Sequence, residues 1–151
     1  MSLILRAIQN ASSGSTGWTI AQYLHRMGHT VICVAGKTSV APEFELPDVR
    51  RAGSPNEMLA TSLELASSET KPDAWIHSAA VLDYYTEPLK EKKASGDDSW
   101  DISLSGGPKH IAELAPFVKG ARRIGFKLET DVSIEVLIDR AMHLIERHGV
   151  D

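Results

Sequence analysis

The period of the apolar positions changes several times along this chain, and each change marks an element. Ile20, Ala21, Leu24 and Met27 recur at helical spacing, which predicts an amphipathic helix from about Thr16 to Met27 with Gly28 as its C′ stop. His29 to Gly36 is a β-branched apolar run bounded by glycine, and it reads as a buried strand of a parallel sheet. A Pro-containing loop, Lys37 to Pro47, leads into Asp48 to Ala52, a short edge strand. Ser54-Pro55-Asn56-Glu57 puts Ser at the N-cap, Pro at N1 and Glu at N3. That capping box opens a helix whose Met58, Leu59, Leu63, Leu65 and Ala66 point inward. Pro72-Asp73 breaks it, and Ala74 to Ala80 forms a second central strand. Val81 to Lys93 is an irregular polar loop, Asp101 to Leu104 alternates like a short exposed strand, and Pro108 to Phe117 is a short helix. Arg123 to Leu128 is a third strand of the centre. Ile134, Leu137, Ile138, Ala141, Leu144 and Ile145 make one face of a last helix, from about Ser133 to His148, which Gly149 stops.

Helices alternating with apolar strands argue for an α/β fold: a doubly wound, mostly parallel, Rossmann-like sheet with helices on both faces. The 151 residues fit one domain, residues 1–151. It is expected to be incomplete at both ends, because Leu3-Ile4-Leu5 is very short for a first strand and another strand should follow Gly149-Val150-Asp151. Hydrophobic content is 42% and charged content 24%, ordinary for a globular protein. The net charge of −4 gives no bulk attraction to nucleic acid or an anionic membrane, so neither is expected as a partner. An anion site must then be built from a local cluster of cations. No apolar run is long enough to span a bilayer, and Met1 to Arg6 turns polar too soon for a signal peptide. A single cysteine, Cys33, excludes an internal disulfide and fits a reducing cytoplasm; as a residue it reads as a buried structural thiol.

Candidate chemistry gathers at strand ends. Asn10-Ala11-Ser12-Ser13-Gly14-Ser15-Thr16-Gly17 is a loop of small hydrogen-bonding residues that runs straight into a helix. Backbone N–H groups, hydroxyls and the positive end of the helix there suit a phosphate or carboxylate, although many such loops only cap helices. Ala79-Ala80-Val81-Leu82-Asp83 follows the second strand. Its small residues let a ring or a ribose approach the backbone, and Asp83 can accept from sugar or base hydrogens or hold Mg²⁺ through water; tight packing and a turn cap explain the same residues. Lys90-Glu91-Lys92-Lys93 offers three ammonium groups suited to a polyphosphate, and in isolation also reads as solvated surface. Phe126, at the end of the third strand, can cover a nucleobase or fill a core. The six histidines show no metal spacing, and no metal site made by protein ligands alone is expected. Ser12 and Ser13 have no His/Asp partner in the sequence, so no hydrolase triad is read.

In order, Arg6-x-x-x-Asn10-x-Ser12-Ser13-Gly14 with Gly17, Ala79-Ala80-Val81-x-Asp83-Tyr84, Lys90-x-Lys92-Lys93 and Gly125-Phe126-x-x-Glu129-Thr130 span nearly the whole chain. Together they resemble the phosphopantothenoylcysteine synthetase (phosphopantothenate–cysteine ligase) family, in its stand-alone form more than its bifunctional one. The resemblance implies an amide-forming ligase of coenzyme A biosynthesis. A nucleoside triphosphate, CTP ahead of ATP, activates the carboxylate of 4′-phosphopantothenate as an acyl-nucleotide with Mg²⁺, and the amine of cysteine then attacks. It also implies a homodimer and no flavin in this domain. Carried over by motif, Asn10 holds the acyl intermediate, Arg6 assists it and Lys90 meets the triphosphate. Ser12, Ser13, Gly14, Gly17, Ala79, Ala80, Asp83, Lys92, Lys93 and Phe126 bind the nucleotide. The family's upstream strand and Gly-Gly-Thr loop have no counterpart before Arg6, and Gly106-Gly107-Pro108 replaces a lysine-bearing segment, with Lys109 a candidate to compensate. A second reading is therefore a catalytically impaired homologue or fragment that still binds nucleotide. A dinucleotide-dependent reductase is disfavoured, because no G-x-G-x-x-G is present.

Overall fold

Capping chemistry decides where the helices begin and end. The structure is a computed structural model that describes residues 11–37, 39–86 and 101–151. In chain order its elements are α1 (Ser15–Arg26), β1 (Ile32–Gly36), β2 (Asp48–Ala52), α2 (Pro55–Ala66), β3 (Ala74–His77), β4 (Tyr84–Tyr85), β5 (Ser105–Gly106), α3 (His110–Glu113), β6 (Arg122–Gly125) and α4 (Ile134–His148). At the head of α2, Ser54 Oγ accepts from Glu57 N at 3.2 Å, and Glu57 Oε2 accepts from Gly53 N at 2.6 Å. This is the predicted capping box, with its return bond shifted one residue outward. Ser133 Oγ accepts from Val136 N at 3.4 Å at the head of α4. Gly28 and Gly149 take the left-handed conformation just past α1 and α4, as their sequence positions predict.

Among the described residues the strands form three pairs. β1 and β2 are parallel, with Ile32 opposite Asp48 and Gly36 opposite Ala52. β3 and β6 are parallel, with Ala74 opposite Arg122 and His77 opposite Gly125. β4 and β5 are antiparallel. Successive side chains of a strand point to opposite faces. Trp18 and Ala21 of α1 pack with Cys33 and Ala35 on one face of β1, while Leu65 of α2 stands with Ile32 and Arg50 on the other. Helices thus cover both faces, as expected. α2 also joins a second core, where Ala66 packs with Leu114 and Val118 against Trp75 of β3. Fully burying a side chain such as Leu114 is worth roughly 1.5–3 kcal/mol, and α2 is the element through which both pairs of parallel strands gain such burial.

Arg123 of β6 ties the remaining elements together. It is 6% exposed. Its guanidinium donates to the carbonyls of His148 (2.6 Å) and Gly149 (3.2 Å) at the end of α4, and to that of Ile111 in α3. Its backbone N–H donates to the Asp151 carboxylate, and its carbonyl accepts from Asp151 N, both at 2.7 Å. The fork of the guanidinium reaches two helices at once, which a point-charge ammonium cannot do.

Several boundaries differ from the sequence expectation, each for a physical reason. β1 starts at Ile32 rather than His29, because Pro47 precedes its partner and has no N–H for the ladder. β3 ends at His77, short of Ala79 and Ala80, because Ser78 N turns back to Ile76 O at 3.2 Å. Tyr84 and Tyr85, expected in a loop, pair with Ser105 and Gly106, whereas Asp101 to Leu104 is not a strand. α3 stops at Glu113 instead of Phe117, since Pro116 clashes with the carbonyl one turn back. β6 begins one residue earlier than expected and ends at Gly125, leaving Leu128 88% exposed. On α4, Leu137, Ala141 and Leu144 are half-buried, but Ile134, Ile138 and Ile145, predicted to face inward with them, are exposed.

Replacing Arg123 by Met should cost about 3 kcal/mol, because three carbonyls lose a donor at roughly 1 kcal/mol or more each. The expected result in urea unfolding is a lower midpoint at an unchanged slope, with Arg123→Lys failing to restore it.

Candidate functional site

Three of the four motifs meet at the C-terminal ends of the parallel strands, the customary ligand side of an open α/β sheet. β3 and β6 finish level, His77 opposite Gly125. Adjacent strands lie about 4.8 Å apart, so Ser78-Ala79-Ala80 and Phe126 emerge beside one another. Ala79, Ala80 and Phe126 are all exposed. The N-terminal turn of α1 comes to the same end. A Cβ on Gly17 would stand 2.8 Å from Ser78 Oγ, so glycine at this position is what allows the helix to approach β3 so closely.

The Ser/Gly loop ahead of α1 is built to present backbone. Gly14 sits at the N-cap with φ 76, a conformation that glycine adopts at no steric cost, and it brings no side chain to close the helix end. Ser13 Oγ accepts from Ser15 N at 3.3 Å, and the Ser13 carbonyl accepts from Val40 N at 2.9 Å. Ala11, Ser12 and Ser13 are exposed. Asp83 leaves the strand end on the other side of the site. Its Oδ1 lies 3.3 Å from Lys109 Nζ. Arg6, Asn10, Lys90, Lys92 and Lys93 lie outside the described residues.

The structure also adds residues that no motif flagged. Arg51 of β2 donates to Gly36 O (3.2 Å) and Ser39 Oγ (2.7 Å), and its guanidinium lies 5.1 Å from the Trp18 ring. It puts a cation beside the Ser/Gly loop. The one sequence hint was the pair Arg50-Arg51, of which strand alternation must turn one toward α1. Burial pushes the nearby Cys33 thiol up, against the opposing pull of Arg51. Glu129, in the fourth motif, is gripped by Lys127 at 2.8 Å and Arg140 at 2.7 Å. The hydrogen bond from Lys127, with the charge of Arg140, holds its carboxyl below the usual range.

Beneath the strand ends lies a cluster of nitrogen bases. His77 and Arg123 project from the same face of β3 and β6 by their register, and the buried His110 opens α3 beside them. Nε2 of His77, Nε2 of His110 and Nε of Arg123 find no hydrogen-bond partner. Burial, then the charges of Arg123 and His110, push His77 down to about 4. Burial also lowers His110, partly offset by the Pro55 carbonyl and by the charge of Glu113. Both rings are therefore neutral at pH 7 and act as polar packing.

Among the described residues no group of three His, Cys, Asp or Glu could hold a metal ion, and no helix is long and apolar enough to cross a membrane. A cavity of about 240 Å³ lies at the opposite, N-terminal end of β3 and β6, between Lys71, Trp75, Phe117 and Lys119. It contains none of the motif residues, so the chemistry and not the concavity locates the site.

Residues 4–151 match the DNA/pantothenate metabolism flavoprotein C-terminal domain. The chain belongs to this family. The resemblance read from the motifs is thereby borne out. Among its relatives is the coenzyme A biosynthesis bifunctional protein CoaBC of Thermococcus kodakarensis, 33% identical over 97% of this chain and 36% of that protein. The CoaBC protein of Methanocaldococcus jannaschii is 29% identical over 97% of this chain and 35% of its own length. The chain thus spans about a third of the curated relatives it matches. The crystal structure of the DNA/pantothenate metabolism flavoprotein from Streptococcus pneumoniae superposes with a TM-score of 0.85 at 26% identity, covering 97% of this chain and 72% of that one. The C-terminal domain of a CoaBC protein shares the fold at 23% identity with a TM-score of 0.76, over 97% of this chain and 66% of that one.

The neutral histidines make stability depend on pH. An unfolded histidine titrates near 6.5 and the folded His77 near 4, so below 6.5 the unfolded chain binds more protons. Stability should be complete above pH 6.5 and fall as the pH drops toward 4. Thermal unfolding across that window checks it. His77→Gln should flatten the slope and leave a residue from His110 and His148, which are lowered in the same direction.

Proposed function

We propose that this chain is the nucleotide-binding synthetase domain of a phosphopantothenate–cysteine ligase acting in coenzyme A biosynthesis. One observation carries the reading. In a chain of this family, the Ser12–Gly17 loop, the Ala79-Ala80-Asp83 segment and Phe126 converge at one end of the parallel strands. A bare carboxylate is a poor electrophile, so amide formation requires its activation. The nucleoside triphosphate supplies this by making an acyl-nucleotide with release of pyrophosphate, and the cysteine amine then displaces the nucleotide. Catalysis here is positioning and charge stabilisation and involves no covalent bond to the protein.

In this reading Phe126 lies over the base, and Ala79 and Ala80 let the nucleoside approach the backbone. The first turn of α1 and the Ser/Gly loop take an anionic group of a substrate. Lys90, with Lys92 and Lys93, meets the phosphates. Asn10 and Arg6 hold the acyl intermediate while cysteine attacks. Mg²⁺ enters with the triphosphate, whose phosphates supply much of its ligation, and the exposed Asp83 accepts from a hydroxyl or amine of the nucleoside. CTP ahead of ATP, a homodimer and a cytoplasmic location complete the reading. A binding module without turnover is the alternative, favoured by Gly107. This residue packs so closely on Tyr85 that a Cβ would stand 3.1 Å from the ring, so a lysine there would have to push Tyr85 aside.

The test is pyrophosphate release with Mg²⁺ that requires nucleotide, 4′-phosphopantothenate and cysteine together. Nucleotide binding without turnover would select the binding module instead. Lys90→Gln should slow acyl-nucleotide formation by about a hundredfold, the scale for losing one preorganised charge-stabilising donor. Asn10→Asp should let the acyl-nucleotide accumulate in rapid-quench experiments when cysteine is present. If Asn10 only caps a helix, its loss costs about 1 kcal/mol of stability and no single step is blocked.

A further inference from the structure

Asp83 has a companion at the exit of β3. Lys109 Nζ lies 3.3 Å from its Oδ1, although the two residues are 26 apart in sequence. Their side chains are 60% and 62% exposed, and an ion pair this wet contributes little to folding. Folding energy therefore does not explain why the two are set face to face. The backbone on both sides is fixed independently of the pair. Gly107 N donates to the Asp83 carbonyl at 2.7 Å, and Tyr84 stands opposite Gly106. Lys109 is the N-cap of α3, its carbonyl accepts from Ala112 N and Glu113 N at 2.9 Å, and the next residue, His110, is buried. A wet ion pair with both backbones anchored is a preorganised charge arrangement, and along the chain it follows directly on the exposed Ala79-Ala80 segment.

We propose that Lys109 is a positioning residue for the nucleotide: it holds the Asp83 carboxylate through Oδ1, turns Oδ2 toward a hydroxyl or amine of the nucleoside, and offsets a negative charge that would otherwise repel the phosphates. The proposal rests on the reading that Asp83 lines the nucleotide site. Lys109 acts through Asp83 and touches no reacting atom. It lies in none of the four motifs, and only the paired β4 and β5 bring it to Asp83.

Calorimetry of the whole chain with magnesium CTP, and with magnesium ATP, tests this directly. Lys109→Ala should weaken nucleotide binding about tenfold, the scale of one charge-assisted contact, at an unchanged urea midpoint. Lys109→Arg should restore it. In a double-mutant cycle, adding Lys109→Ala to Asp83→Asn should cost nothing further, because the lysine works through the carboxylate. In steady-state assays the loss should fall on KM far more than on kcat. Equal binding by Lys109→Ala and the parent chain overturns the proposal, and so do additive losses in the double variant, which would mean direct contact with phosphate. Binding without pyrophosphate release would sink the ligase reading alone, since calorimetry still reads Lys109. No binding of either nucleotide by the parent chain overturns both.

Discussion

The buried guanidinium of Arg123 is the constraint on which the site half of this molecule depends. Burying a charge is unfavourable unless every hydrogen-bonding position is used. Arg123 meets most of that demand with carbonyls that also need donors: the last turn of α4 has orphan carbonyls, and Ile111 O lies within reach in α3. The two deficits satisfy one another. The consequence is geometric. β6 is fixed under α3 and α4, its partner β3 is fixed in register, and the residues that leave both strands share one end.

Helices pack against both pairs of parallel strands. Leu65 of α2 stands with Ile32 and Arg50, while its Ala66 joins the core around Leu114 and Trp75. α1 covers one face of β1 and approaches the end of β3 where Gly17 removes a side chain. A loop that offers backbone N–H groups is thereby brought to a strand end that offers small residues. Among the described residues, two cations at this end are individually held. Arg51 is locked by Gly36, Ser39 and Trp18, and Lys109 by Asp83. In a chain of net charge −4, attraction for an anion depends on that local placement and not on a long-range field.

The neutral cluster below the site has the opposite character. His77, His110 and Arg123 crowd three basic groups into a half-dry layer, and only the arginine carries charge. A further proton there would add repulsion without a counter-charge, which couples the integrity of the strand ends to pH.

Much of this was legible in the linear sequence, because it rests on local physics. The capping box at Ser54–Glu57, the Ser133 cap and the glycine stops at 28 and 149 need only neighbours a few residues away. The four motifs, read in order, were enough to reach the family. Strand limits were legible only to within a few residues, since a ladder ends where its partner ends, as Pro47 shows for β1. Other features needed the fold. That α4 turns Leu137 and Leu144 inward but leaves Ile134 and Ile138 exposed depends on what stands opposite the helix, not on its own period. That Gly17 meets Ser78, Arg51 lies on Trp18 and Lys109 finds Asp83 depends on strand register and on chain returning to itself across 26 to 61 residues. Periodicity reports which way a side chain faces within its own element. Only tertiary packing decides which side chain of another element it will meet.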